Sequence, residues 1–191
     1  MTIELAESPF TWDELLEASR VQQEAFWDMP LFRWWRLKEE FSSREITQSA
    51  RMKLRNQLEE NYRLVVAKID NRIVGYAFWI LPDHCCARAT ILGTAWKYIL
   101  AFKDLIGNFW DPPISSIDRN KLSIFRREQS ICKKNAMGSG HDYYYLDILC
   151  VDKNFQRQGI GARLLQWAIE RAKKAVIESI WNPRRLEKGC I

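Results

Sequence analysis

The feature that most constrains the fold is a stretch in which the hydrophobic period changes from that of a strand to that of a helix. Tyr143 to Val151 is strand-like throughout and apolar on both faces toward its end, as expected of a buried, central strand. From Gly159 to Lys174 the apolar residues recur at helical spacing. A short turn joins the two, so the pattern predicts a strand-turn-helix unit.

The turn from Gln156 to Ala162 has the composition of an anion-binding site. A helix N-terminus leaves its first N–H groups without internal partners, and the helix dipole places partial positive charge there. Gly159 and Gly161 lack a Cβ and let a diphosphate approach the backbone, while Arg157 adds a full positive charge. A second interpretation stays open, in which the glycines only allow tight packing.

Two better-known phosphate-binding patterns do not fit this turn. The dinucleotide-binding fingerprint needs a third glycine where this chain has Leu164, and it normally stands at the start of its domain. The P-loop needs a Gly-Lys-Ser/Thr sequence, which is absent. The turn therefore indicates a diphosphate ligand of another kind.

The rest of the chain adds strands and helices around this unit. Thr11 and Glu14 form a capping box, which marks the start of a helix. Two β-rich runs flank an Asp70-Asn71 turn and predict a hairpin. The predicted elements are a strand at Thr2 to Ala6, helices at Trp12 to Trp27 and Arg44 to Asn61, hairpin strands at Leu64 to Ile69 and Ile73 to Ile80, and a short last strand at Val176 to Ile180.

The length of 191 residues favours a single domain over residues 1–191. Residues 84–140 hold two helical segments, Arg88 to Phe109 and Ile117 to Lys134, and form a helical insert in that domain. The apolar face of the first segment is typical of core packing, and a lid or substrate wall is the alternative. Residues 175–191 form an atypical tail.

Composition and charge exclude several classes of protein. The five cysteines are odd in number and lack zinc-like spacing with histidines, and no signal peptide is present, so we expect a cytoplasmic, reduced chain without metal. The most apolar stretch, Ile91 to Ile106, falls short of the ~20 residues that a membrane span requires. The net charge of +5 favours anionic partners, but no helix clusters Arg and Lys as nucleic-acid readers do. We therefore expect neither a membrane nor a nucleic-acid partner.

The segment Leu149-x-Val151 followed by Gln156-x-x-Gly159-x-Gly161 resembles the core motif of the GNAT N-acetyltransferases. The resemblance implies an α/β fold of the α+β type, in which a mixed, largely antiparallel central sheet is flanked by helices. It also implies acetyl-CoA as co-substrate, with pantetheine paired to the backbone of Leu149 and Val151. The pyrophosphate would be held at the turn, by Gln156, Arg157, Gln158, Gly159, Ile160, Gly161 and Ala162.

The same resemblance points to two catalytic candidates on the strand. Acetyl transfer to an amine needs a base for the amine proton and an acid for the leaving thiolate. Family members similar to arylalkylamine acetyltransferases have histidines where this chain has Tyr145 and Asp147, and the strand period should put both on one face. We expect Asp147 to act as base or amine-binding carboxylate, with Tyr145 beside it. The alternative is that Asp147 is a satisfied buried carboxylate that fixes the strand end.

The C-terminal part departs from the family pattern. Members normally continue with a further strand, a helix that often carries a thiolate-protonating tyrosine, and a final hairpin. Ala175 to Ile191 contains no tyrosine and is too short for these elements, so the resemblance implies a fold without its last helix and hairpin. We expect an exposed sheet edge there, with marginal stability and self-association.

Two functions remain open from the sequence. The first is an acetyl-CoA-dependent N-acetyltransferase that acts by direct transfer on the amine of a small molecule. The second is a catalytically silent acyl-CoA-binding or interaction module. The missing tyrosine-bearing helix favours the second, and the motif itself fits both.

Overall fold

The structure is a computed structural model that describes residues 2–37, 42–59, 61–82, 117–137 and 143–181. Strands and α-helices alternate irregularly along these residues. In order, the elements are β1 (Glu4–Glu7), α1 (Trp12–Phe26), α2 (Pro30–Trp35), α3 (Ser43–Asn56), β2 (Tyr62–Ile69), β3 (Arg72–Ile80), α4 (Arg119–Met137), β4 (Tyr145–Val151) and α5 (Ile160–Trp181).

The strands form a four-stranded sheet in the order β1-β2-β3-β4, and every neighbouring pair is antiparallel. The predicted hairpin is present, because β2 and β3 are joined by Asp70 and Asn71. Both residues have positive φ, 48° and 65°, as a tight hairpin turn requires. The predicted fold class, a largely antiparallel sheet with flanking helices, is confirmed.

Helices cover both faces of the sheet. One cluster packs α1 and α3 on the face that carries Leu64 and Val66, and a second packs α5 on the face that carries Val65 and Ala67. Successive residues of β2 therefore enter opposite cores, which explains its unbroken apolar run. The sheet is the central layer of a three-layer domain.

The capping box at the start of α1 is confirmed. Thr11 Oγ1 accepts from the Glu14 N–H at 3.4 Å, and Glu14 Oε2 accepts from the Thr11 N–H at 2.9 Å. Glu14 also pairs with Lys68 of β2 at 2.6 Å, and this hydrogen bond lowers the pKa of Glu14. The cap thus fixes the first helix against the sheet.

The predicted last strand at Val176 to Ile180 is wrong, because α5 continues through these residues to Trp181. β-branched residues favour strands weakly, whereas extending an existing helix costs far less than starting a new element. No glycine or proline stands between Lys174 and Trp181 to stop the helix.

Two further points concern α2 and α4. The first helix ends at Phe26, before Pro30, and Pro30 then occupies the first position of the short α2, where a missing N–H costs nothing. In the insert, α4 matches the predicted segment Ile117 to Lys134 closely. The other segment, Arg88 to Phe109, lies outside the described residues.

Candidate functional site

The backbone of β4 presents alternate residues to opposite sides. Val151 lies opposite Gly75, and the Asp152 N–H donates to the Val74 carbonyl at 2.8 Å. In an antiparallel pair this pattern turns Asp152 toward β3 and Val151 away from it. Leu149, two residues earlier, faces away in the same manner. No strand among the described residues pairs with this outer edge, so the backbone groups of Leu149 and Val151 line an open edge.

A set of side-chain hydrogen bonds shapes the turn that follows β4. Asp152 is 1% exposed, and its carboxylate accepts from the Asn154 N–H at 2.9 Å and from Arg72 Nη2 at 3.2 Å. Gln156 Nε2 donates to the Val151 carbonyl at 3.1 Å and closes the turn from the other side. The turn therefore has a defined shape without a bound ligand.

The anion-binding character of the turn comes from its free amides. The first helical bond of α5 runs from the Arg163 N–H to the Gly159 carbonyl at 3.0 Å. Within the described residues, none of the backbone N–H groups from Arg157 to Ala162 has an acceptor. Arg157 and Gly159 have φ of 63° and 79°, and left-handed residues in such a turn curve successive N–H groups around one point.

The glycines around the turn have different roles. Gly159 has open space around it, so its positive φ is what requires glycine. A Cβ on Gly161 would lie 3.7 Å from Leu149 Cδ2, an ordinary van der Waals contact, so packing of α5 on β4 does not itself require glycine here. A Cβ on Gly75 would lie 2.9 Å from the Cys150 carbonyl oxygen, which makes glycine necessary for the β3–β4 pairing.

Lys153 links the turn to the first helical layer. Its Nζ forms an ion pair with the carboxylate of Asp28, just after α1. The hydrogen bond from Lys153 lowers the pKa of Asp28. The ion pair thus joins the turn to the end of α1.

The catalytic candidate Asp147 occupies a β-bulge. Phe78 pairs with Ile148 and Trp79 with Leu146, which leaves Asp147 without a partner on β3. A bulge interrupts the strict alternation from which the sequence placed Tyr145 and Asp147 on one face. The two side chains are still close enough for an electrostatic effect, because after burial the charge of Asp147 is the next largest cause of the raised pKa of Tyr145.

The electrostatics around this pair suit proton transfer. Asp147 is exposed at the surface, but the protein atoms around its carboxylate exclude part of its water and raise its pKa, which makes it a better base, while nearby Lys133 lowers it. Burial, then Asp147, then Tyr143 raise the pKa of Tyr145, so its hydroxyl keeps its proton at neutral pH. The Lys133 ammonium lies 3.9 Å from the centroid of the Tyr145 ring, a cation–π contact.

Several contributors to this region were missed in the sequence. An aspartate at the end of a strand, such as Asp152, often caps the following turn with its side chain, and this signal could have been read from the sequence. A glycine inside an apolar strand, such as Gly75, often indicates that another backbone segment lies very close. Lys133 carried no local signal, because only the fold brings α4 to β4. Cys150 is a buried core residue, and burial raises the pKa of its thiol to about 12.

The described ranges contain neither a membrane-spanning helix nor a cluster of metal-binding side chains. No helix there is long and apolar enough to cross a bilayer. No group of three or more His, Cys, Asp and Glu side chains in the same ranges is placed to hold a metal ion.

Several solved structures are similar to this chain. One of them is described as histone acetyltransferase HPA2 and related acetyltransferase from Corynebacterium glutamicum, with 17% identity, a TM-score of 0.46, and coverage of 88% of this chain and 71% of that one. Another is a mosquito arylalkylamine N-acetyltransferase like 5b, with 16% identity, a TM-score of 0.46, and coverage of 91% and 72%. No curated protein sequence matches the chain.

The family itself is shown by the sequence of residues 12–185, which matches the acetyltransferase (GNAT) family. Its members are acyltransferases. This chain belongs to the GNAT acetyltransferase family.

Proposed function

We propose that the chain binds acetyl-CoA and transfers the acetyl group directly to the amine of a small molecule. The observation that carries the proposal is the run of free amides from Arg157 to Ala162, placed beside the outward backbone of Leu149 and Val151. The diphosphate would accept hydrogen bonds from the backbone N–H groups of the turn. The amide groups of pantetheine would hydrogen-bond to the outer edge of β4, as a neighbouring strand would.

The residues on β4 supply the proton chemistry of this reaction. The Asp147 carboxylate takes a proton from the acceptor ammonium and frees its lone pair for attack on the thioester carbonyl. The new N–C bond forms as the C–S bond breaks, and the sulfur leaves as a thiolate. Tyr145, which keeps its proton at neutral pH, donates a proton to that sulfur and regains one from solvent. The net products are an amide and free CoA thiol.

A charge placed at the turn tests the binding step. Ala162 is exposed in the first turn of α5, where an acidic residue stabilises a helix but would repel a diphosphate. We expect Ala162→Asp to weaken acetyl-CoA binding about tenfold or more, by calorimetric titration, without loss of thermal stability. The isosteric Ala162→Asn is the control and should bind as the unaltered chain does. Equal affinities for the two variants would contradict binding at this turn.

The silent acyl-CoA-binding module remains a second candidate. Because residues 175–181 are helical, the described part of the chain has no second strand to complete a slot beside β4. Release of CoA thiol over a panel of amines separates the candidates. Binding without thiol release would select the silent module, and the absence of heat with acetyl-CoA would exclude both.

A further inference from the structure

A cleft of about 530 Å³ lies between α3 and the start of α4, and none of its lining residues belongs to the diphosphate turn. Its apolar lining comes from Met52 of α3, from Ile117 just before α4 and from Leu122 of α4. Two exposed arginines, Arg119 and Arg126, also line it. The cleft therefore combines an apolar surface with two positively charged residues.

The two arginines of the cleft are not neutralised by neighbouring acids. Asp118 lies 3.9 Å from the Lys121 ammonium and caps the first turn of α4, and Glu128 pairs with Arg127 at 3.0 Å. Among the described residues, neither cleft arginine has a carboxylate within ion-pair distance. An anionic ligand would find their donors available for charge-assisted hydrogen bonds.

The basic side chains of α4 lead from this cleft toward the catalytic candidates. Arg119, Arg126 and Lys133 are seven residues apart, so they share one face of the helix at intervals of about 10 Å. Lys133, the last of the three, contacts the Tyr145 ring, and its charge lowers the pKa of Asp147. The cleft and the proposed amine site therefore lie along the same side of α4.

We infer that the acceptor is an amine bearing a carboxylate or phosphate, which Arg126 binds while the amine lies at Asp147. This inference rests on the proposed function. Arg119, Leu122 and Met52 lie beyond Arg126 on the side away from Lys133, where they would contact any part of the acceptor that extends past its anionic group. The spacing of Arg126 from Lys133 sets a separation of about 10 Å between the anionic group and the nitrogen.

The test compares two ligands that differ in one charge. The ligand ω-aminooctanoate separates its nitrogen from its carboxylate by about 10 Å when extended, and ω-aminooctanamide is the neutral analogue. Calorimetry on the full chain should show about tenfold tighter binding of the carboxylate. Arg126→Gln should remove this preference, whereas Arg127→Gln, which removes the same charge from the adjacent position, should retain it.

The outcomes separate this inference from the proposed function. Equal binding of the two ligands by the unaltered chain, or an equal loss of preference in both variants, would overturn the anionic acceptor. Thiol release from acetyl-CoA is then measured with the same two amines. A carboxylate preference that depends on Arg126, without thiol release from either amine, would support the cleft as an anion site and refute the transferase.

Discussion

Replacing Lys53 with methionine is expected to flatten the rise of stability between pH 7 and pH 9. The Lys53 side chain is 6% exposed, and its ammonium contacts the oxygens of Ser19, Gln22 and Ser49 at 3.1, 2.7 and 2.7 Å. These partners are neutral, and the described residues provide no carboxylate to pair with it. Burial lowers the pKa of Lys53 to about 7, which Cys150 opposes.

The direction of the effect follows from proton binding. The pKa of Lys53 falls from its ordinary 10.5 in the unfolded chain to about 7 in the fold. Between these values the unfolded chain binds more protons, so the free energy of unfolding increases with pH. Integration from pH 7 to pH 9 gives a gain of about 2 kcal/mol from this residue. Above pH 9 the buried Cys150, whose pKa is raised to about 12, acts in the opposite direction.

Urea denaturation followed by tryptophan fluorescence at pH 7, 8 and 9 measures this gain. The unaltered chain should gain about 2 kcal/mol more than Lys53→Met across the range. The exposed Lys173 on α5 supplies the control, and Lys173→Met should follow the unaltered chain. Parallel curves for the unaltered chain and Lys53→Met would refute the reasoning, because they would mean that Lys53 stays charged in the fold.

Three further predictions test the sheet, the turn and the catalytic pair. Gly75→Ala should lower the free energy of unfolding by about 1 to 3 kcal/mol, since the added methyl meets a backbone carbonyl; urea titration measures this. Asp152→Ala should cost about 1 to 2 kcal/mol through the N–H that it leaves unpaired. Arg72→Ala should cost less, about 1 kcal/mol, because the Arg72 side chain is 59% exposed and the buried Asp152 carboxylate keeps its hydrogen bond from the Asn154 N–H; equal costs would contradict this account. Asp147→Asn should lower kcat/KM by about 100-fold. It should also remove the increase of kcat/KM with pH that accompanies deprotonation of Asp147, whose pKa is raised. A pH profile of thiol release that is the same in the variant and the unaltered chain would exclude Asp147 as the base.

The parts of the fold that the sequence predicted depend on local chemistry. The Asp70-Asn71 turn, the Thr11 capping box and the change of period after Val151 each act within a few residues. The end of α5 could not be predicted in this way. The β-branched residues after Lys174 have strand propensity, but continuing a helix needs only the absence of a stop signal.

In the candidate site, too, the features set by neighbouring residues could be predicted and those set by tertiary packing could not. The diphosphate turn could be located because its glycines, arginine and helix start are contiguous in the sequence. The bulge at Asp147 could not, because it is a property of the pairing with β3 and not of the strand alone. Lys133 reaches the site, and the arginines reach the cleft beside α3, only through the packing of α4, which no sequence spacing encodes.

The outward backbone of Leu149 and Val151 has a consequence for the solution behaviour of the chain. An unpaired edge can add the same edge of a second copy as readily as it adds a ligand. We propose that self-association and acetyl-CoA compete for these hydrogen-bonding groups, so that bound cofactor favours the monomer by mass action. Bound acetyl-CoA would then keep the chain monomeric, and loss of acetyl-CoA would favour aggregation.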